Sequence, residues 1–233
     1  MPRIARVVVP GIPHHVTQRG NRGADVFLEA QDRQRYLSVM SHYARQHRVD
    51  IWAYCLMSNH VHFVMLPHTP DSLARTLRDA QRSHAVYLNE KLNQRGHLWH
   101  SRYFSCALDE AHLWAAARYV ERNPVRAGLV AAAQDHPWSS AAAHCGIRSD
   151  PLLSPDFPPL GVVPDWAEWL AEAATDPAAS DTIRTNTRTG RPCGSPSFVE
   201  QIEAALRRIL RPRKRGPKPE SERKKELRYL SPK

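Results

Sequence analysis

The sequence predicts an α+β fold, an antiparallel sheet with helices on one face, followed by an irregular C-terminal extension. Three observations predict it. Apolar positions in residues 1–148 alternate between strand and helix spacing in the order β-α-β-β-α-β-α. Two β-rich runs flank the short polar turn Ser58-Asn59, as a hairpin requires. Beyond residue 148 the prolines concentrate, eight of 19 falling in 149–196, and regular periodicity fades.

Pro13 to Arg19 forms the first strand, with His15, Val16 and Thr17, and Gly20-Asn21-Arg22-Gly23 turns the chain. From Gln31 to His47 the positions Tyr36, Leu37, Met40, Tyr43 and Ala44 fall at helical spacing. Asp50–Met57 and His60–Leu66 are the two arms of the hairpin. Asp71 to Leu92 is a second helix opened by Asp71 or Ser72, with Leu73, Leu77, Ala80, His84, Tyr87 and Leu88 on one side. Leu98 to Ala107, rich in aromatics, is a fourth strand. Asp109 to Asn123 is a third helix stopped by Pro124, because the residue before proline avoids the helical region. The first six elements match the split βαβ order of ferredoxin-like (RRM-like) folds.

Three parts follow: 1–148 as one domain, 149–196 as a Pro-rich acidic connector with one short helix near Asp165–Ala174, and 197–233 as a short helix and basic tail. Ser197 and Glu200 stand in capping-box spacing, ahead of Phe198, Ile202, Leu206 and Ile209 on one helical face. The charge divides into three blocks as well, with the second boundary at residue 210. The chain carries +10 formally. Residues 1–148 hold 18 basic and 11 acidic side chains, 149–210 hold 5 and 9, and 211–233 hold 10 and 3. A chain of this balance meets a polyanion, most often nucleic acid. No run of about 18 apolar residues exists, which excludes a membrane span. Cys55, Cys106, Cys145 and Cys193 are far apart and make no C-x-x-C, so they read as thiols in a reducing cytosol.

His60-Val61-His62 is the sharpest chemical feature. Side chains alternate along a strand, so the two imidazoles share a face and can hold a divalent metal ion. The plain reading is a pair of ordinary strand histidines. Tyr119 and Asn123 stand four apart on the third helix and share a face too. Their plain reading is a core tyrosine and a helix-end cap. If that helix crosses the histidine face, however, Tyr119 presents a phenol beside the metal and Asn123 an amide oxygen as third ligand. Phosphodiester cleavage needs large transition-state stabilisation, which a metal can supply at a phosphoryl oxygen. A tyrosine nucleophile conserves the ester bond for rejoining, which suggests strand transfer rather than hydrolysis.

These residues resemble a known family. The stretch 54–65 (YCLMSNHVHFVM) is similar to the histidine motif of the REP-associated tyrosine transposases, a branch of the single-tyrosine HUH transposases of bacterial insertion sequences. The segments 11–21 (GIPHHVTQRGN), 96–104 (GHLWHSRYF), 118–130 (RYVERNPVRAGLV) and 136–140 (HPWSS) resemble it in the same order, across about residues 2–147. The resemblance implies Tyr119 as nucleophile, His60 and His62 as metal ligands, and Asn123 at the third metal position, where distant relatives have Gln. Ser58 stands where many members have proline. The implied cofactor is Mg²⁺ or Mn²⁺. The implied partner is single-stranded DNA with palindromic hairpins and a nearby tetranucleotide. The implied setting is the bacterial cytoplasm and nucleoid, as a monomer or a homodimer.

Arg118, Arg122 and Arg126 recur every four residues around Tyr119, either clamping phosphates or lining a solvated face beside Glu121. Arg19 is a candidate for the hairpin base, His14 and His15 are candidates for the same place or plain structural or exposed histidines, and Trp99 and Tyr103 serve base stacking or the core. Arg213, Lys214 and Arg215 read as a sequence-independent phosphate hook. Two rival functions stand beside strand transfer: a hairpin-binding regulator that does not cut, and a metal-dependent nuclease that uses water.

Overall fold

The computed structural model describes residues 6–159, 162–172 and 177–211. The elements are β1 (His14–Arg19), α1 (Ala30–Gln46), β2 (Val49–Leu56), β3 (His60–Pro67), α2 (Ser72–Lys91), β4 (Phe104–Ala107), α3 (Glu110–Glu121), α4 (Asn123–Arg126), α5 (Ala141–His144), α6 (Trp166–Ala171), α7 (Pro177–Thr189) and α8 (Pro196–Leu206). The strands form one sheet in the order β2-β3-β1-β4, with every neighbouring pair antiparallel. This is the split βαβ arrangement the element order predicts.

Alternation along the strands gives the sheet two buried faces. Val16, Tyr54, Val61, Phe63 and Met65 pack under α1 and α2 against Tyr36, Met40, Leu73 and Leu77. Helices therefore share one face, as expected for the first six elements. The opposite face carries Ala53, Cys55, Val64 and Cys106, and it is covered by Leu113, Ala116 and Val120 of α3, Trp166 and Leu170 of α6, and Ile183 of α7. His60 and His62 follow the parity of Val64 and belong to this second face. No described helix is long and apolar enough to cross a membrane.

Several boundaries differ from the sequence expectation. The fourth strand is four residues long, not ten. Residues 96–103 instead form a loop with Gly96 and Ser101 at positive φ, and only Trp99 bridges to Gly20. The aromatics that suggested a strand are anchors of this loop: Trp99 is buried and donates from Nε1 to the Gln81 carbonyl. Pro124 does not simply stop α3. The helix breaks at Arg122, and Pro124 sits in the first turn of α4, where its missing N–H costs nothing. α8 is capped by Ser195, whose Oγ accepts from the Phe198 N–H, rather than by Ser197. Ile202 of α8 is buried with Val7 and Leu210, whereas Ile209 is exposed.

The largest difference lies in 149–196. Besides α6, which falls within the short helix expected near Asp165–Ala174 and is capped by Asp165 accepting from the Glu168 N–H, the segment contains α7. Along Ser180–Thr189 only Ile183 and Thr187 are buried, so no apolar stripe marks this helix in the sequence. It owes its place to packing on β4 and α3.

Asp32 shows how polar groups hold the first face. It is fully buried and accepts from the backbone N–H of Leu28 and Glu29, the Tyr87 hydroxyl and the Lys91 ammonium. Burial alone would raise its pKa, but these donors outweigh burial and bring it down to about 2. A depressed folded pKa means stability that is present above the unfolded value and lost as pH falls through the folded one. Asp32→Asn is expected to cost about 2 kcal/mol at pH 7. Urea unfolding should also show the variant losing less stability than the parent between about pH 4 and pH 2.

Candidate active site

His60 and His62 sit at the start of β3, where β1 pairs with it in the register Arg19↔His60 and Thr17↔His62. α3 crosses this face, so the condition posed by the Tyr119 spacing is met. The Tyr119 ring lies 5.6 Å from that of His62 and 5.7 Å from that of His15, both edge to face. The His60 and His62 ring centroids are 5.0 Å apart. Together with Thr17, Arg19, Phe104, Arg184, Thr187 and Arg188, these side chains line a cleft of about 370 Å³.

Hydrogen bonds orient both histidines. Asn59 Nδ2 donates to the Gly23 carbonyl, which turns Asn59 Oδ1 toward His60; His60 Nδ1–H donates to that oxygen at 2.6 Å. The lone pair of His60 is therefore on Nε2. His62 Nδ1 meets His15 Nε2 at 3.0 Å. Burial lowers the pKa of all three rings. His15 falls to about 3, with Arg126 adding to the effect, and His60 to about 4, helped by Arg19 and Arg126. His62 falls well below its usual value through burial, then the neighbouring His15, His60 and Arg126. The imidazoles are neutral at pH 7, as ligation requires.

Arg126 joins this cluster. Its guanidinium carbon lies 3.9 Å from the centre of the Tyr119 ring, and Nη2 donates to Asn123 Oδ1 at 3.0 Å. Asn123 is buried, and its Nδ2 has no partner. Arg118 and Arg122 go elsewhere. Arg118 donates to the Glu172 carbonyl and lies over the Trp169 ring, and Arg122 donates to the carbonyls of Leu170 and Glu172. They close the C-terminal end of α6 rather than lining the cleft. Glu121, their neighbour on the face expected to be solvated, is fully buried. Arg19 does line the cleft, while Arg213, Lys214 and Arg215 lie outside the described residues.

The sequence alone does not assign His15, Arg184, Thr187 or Arg188 to the cleft. His15, readable from sequence as a DNA contact or as a structural or exposed histidine, is buried against His62. Strand parity could have found it, since His15 shares the His62 face once β1 and β3 pair. No local signal marks Thr187 or its α7 neighbours Arg184 and Arg188.

Among the described residues no group of three or more His, Cys, Asp or Glu is set to hold a metal ion. Two neutral imidazoles on one strand face are donors that a divalent cation accepts, whereas Asn123 is not among the residues lining the cleft. The Asn123 oxygen has a second lone pair beyond the one Arg126 uses.

A second depression of about 700 Å³ lies between α2 and the 96–103 loop, lined by Arg75, Arg78, Arg82, Arg102, Gln18 and Trp99 among others. Arg6, Arg102 and Tyr103 are shared with a small pocket along β4, which in turn shares Phe104, Thr187 and Arg188 with the cleft. A basic track thus runs along the edge strand.

The profile of the IS200-like transposases matches residues 9–123. Among solved structures, a REP-associated tyrosine transposase bound to a REP hairpin is similar at 19% identity and a TM-score of 0.53, covering 67% of this chain and 93% of that one. A Deinococcus radiodurans R1 protein assigned to the transposases aligns at 17% identity and a TM-score of 0.37, covering 52% of this chain and 97% of that one. No curated protein matches the chain.

Proposed function

We propose, on the match of residues 9–123 to the IS200-like transposase profile, that the protein cuts and rejoins hairpin-bearing single-stranded DNA through Tyr119. One observation carries the proposal: Tyr119 and the neutral pair His60 and His62 line a single cleft, with Arg126 over the Tyr119 ring. The Tyr119 oxygen attacks phosphorus, forming an O–P bond as the bond to the leaving deoxyribose oxygen breaks. The phenol gives up its proton and the leaving oxygen gains one. Arg126, over the ring, favours the phenolate and balances charge that builds on the phosphoryl group. His60 and His62, through Nε2, with Asn123 Oδ1 would hold Mg²⁺ or Mn²⁺. When bound, the ion polarises a phosphoryl oxygen. Rejoining reverses the exchange and frees Tyr119.

The test is a labelled single-stranded hairpin oligonucleotide incubated with the full chain and Mn²⁺, then run on a denaturing gel. A protein–DNA adduct is the expected result. Binding without cleavage across several hairpins would favour the regulator instead.

The basic track gives the DNA a route into the cleft, with phosphates on Arg78 and Arg82 of α2, both exposed. Replacing both by Ala is expected to weaken binding and reduce the salt slope by about 2, one for each phosphate that an arginine no longer neutralises. Fluorescence anisotropy across a salt series checks this, with cleavage at low salt retained. An unchanged slope would place the DNA elsewhere.

A further inference from the structure

A line of buried polar side chains runs from the C-terminal extension into the cleft. Cys106 Sγ lies 3.1 Å from Thr187 Oγ1, Thr187 Oγ1 lies 2.7 Å from His15 Nδ1, and His15 Nε2 lies 3.0 Å from His62 Nδ1. The His15 and His62 ring planes are only 14° from parallel with centroids 5.2 Å apart, so the two rings meet edge to edge through these nitrogens. Thr187 is 2% exposed, His15 1% and His62 7%, so water does not substitute for these partners. Thr187 belongs to α7, well beyond the residue 123 at which the family match ends.

A neutral imidazole has one N–H for two nitrogens, so each contact constrains the next. For His62 to offer a lone pair at Nε2, its proton must sit on Nδ1 and be donated to His15 Nε2. His15 then carries its own proton on Nδ1 and needs an acceptor there, and Thr187 Oγ1 is that acceptor. Reversing the line puts the proton on His62 Nε2, where it blocks ligation. We infer that Thr187 and His15 are positioning residues that hold His62 with Nε2 open to a divalent cation, making α7 a working part of the active site. The inference rests on the metal reading above.

Thr187→Val keeps the shape and removes the acceptor. It leaves the His15 N–H unpaired in the ligating arrangement and so favours the reversed one. Mn²⁺ binding to the full chain, followed by electron paramagnetic resonance without DNA, is expected to weaken about tenfold in Thr187→Val, with an unchanged melting temperature. Thr187→Ser should restore it. ¹⁵N NMR of the Mg²⁺-loaded protein should place protons on Nδ1 of both His15 and His62. If Thr187→Val melts early, His15→Gln against His15→Leu makes the same comparison, because the Gln oxygen can accept from His62 Nδ1–H and Leu cannot. Binding that weakens in His60→Ala but not in Thr187→Val or His15→Leu overturns the relay alone. Binding that survives His60→Ala overturns the metal reading and the relay with it. A proton on His15 Nε2 in the loaded protein also overturns the relay.

Discussion

Tyr119→Phe is expected to bind hairpin DNA as the parent does and to form no covalent adduct. The phenyl ring keeps its edge-to-face contacts with His15 and His62 and its place under Arg126, so packing and DNA affinity are preserved. Only the oxygen that would bond phosphorus is lost. Removing a nucleophile from an otherwise intact site lowers the rate by about 10⁴-fold or more. On a denaturing gel both the shifted band and the cleaved strand should vanish together. If cleavage persists while the adduct is lost, water is the nucleophile and the protein is a nuclease. His60→Ala separates the matter further: it leaves the phenol in place, yet cleavage should fall if the ion is held as proposed.

Glu121→Ala is expected to destabilise the fold by about 3–5 kcal/mol, the range for removing one partner from a buried charged network. Glu121 is fully buried at the end of α3 and accepts from Ser140 Oγ, from His144 Nδ1 at 2.6 Å and from Trp166 Nε1 at 2.7 Å. One carboxylate thus ties α3 to the turn before α5, to α5 and to α6. Alanine leaves those donors unpaired away from water, and each costs about 1–3 kcal/mol. Arg118 and Arg122 grip the carbonyls at the end of α6, so loosening α6 also frees the helix that carries Tyr119. Urea unfolding measures the effect. A loss below about 1 kcal/mol would mean that the carboxylate is solvated and its partners are satisfied elsewhere.

The fate of these charged residues shows where sequence reasoning stops. Arg118, Arg122 and Glu121 have the spacing of a solvated or phosphate-binding helix face, and on α3 alone nothing contradicts that. Their partners are 19 to 54 residues away in sequence, on α5, α6 and the turns beside them. The same holds at the cleft. The H-x-H spacing puts His60 and His62 on one face of a strand, and the interval of four puts Tyr119 and Asn123 on one face of a helix. Neither interval says that the two faces meet.

What the sequence determined by itself was what near neighbours decide: the order of strands and helices from β1 to α3, the hairpin, the shared faces of His60 with His62 and of Tyr119 with Asn123, and the motifs whose order resembles the transposases. What only the tertiary structure decided was which side of the sheet α3 covers, that Arg126 rather than Arg118 or Arg122 accompanies Tyr119, and that α7 exists and reaches His15 through Thr187. The division has one physical cause. Periods of 2 and 3.6 residues are set by backbone geometry within a few positions, and so are written locally. A helix as polar as α7, which buries only Ile183 and Thr187 along Ser180–Thr189, is stabilised by surfaces distant in sequence, and no local period records them.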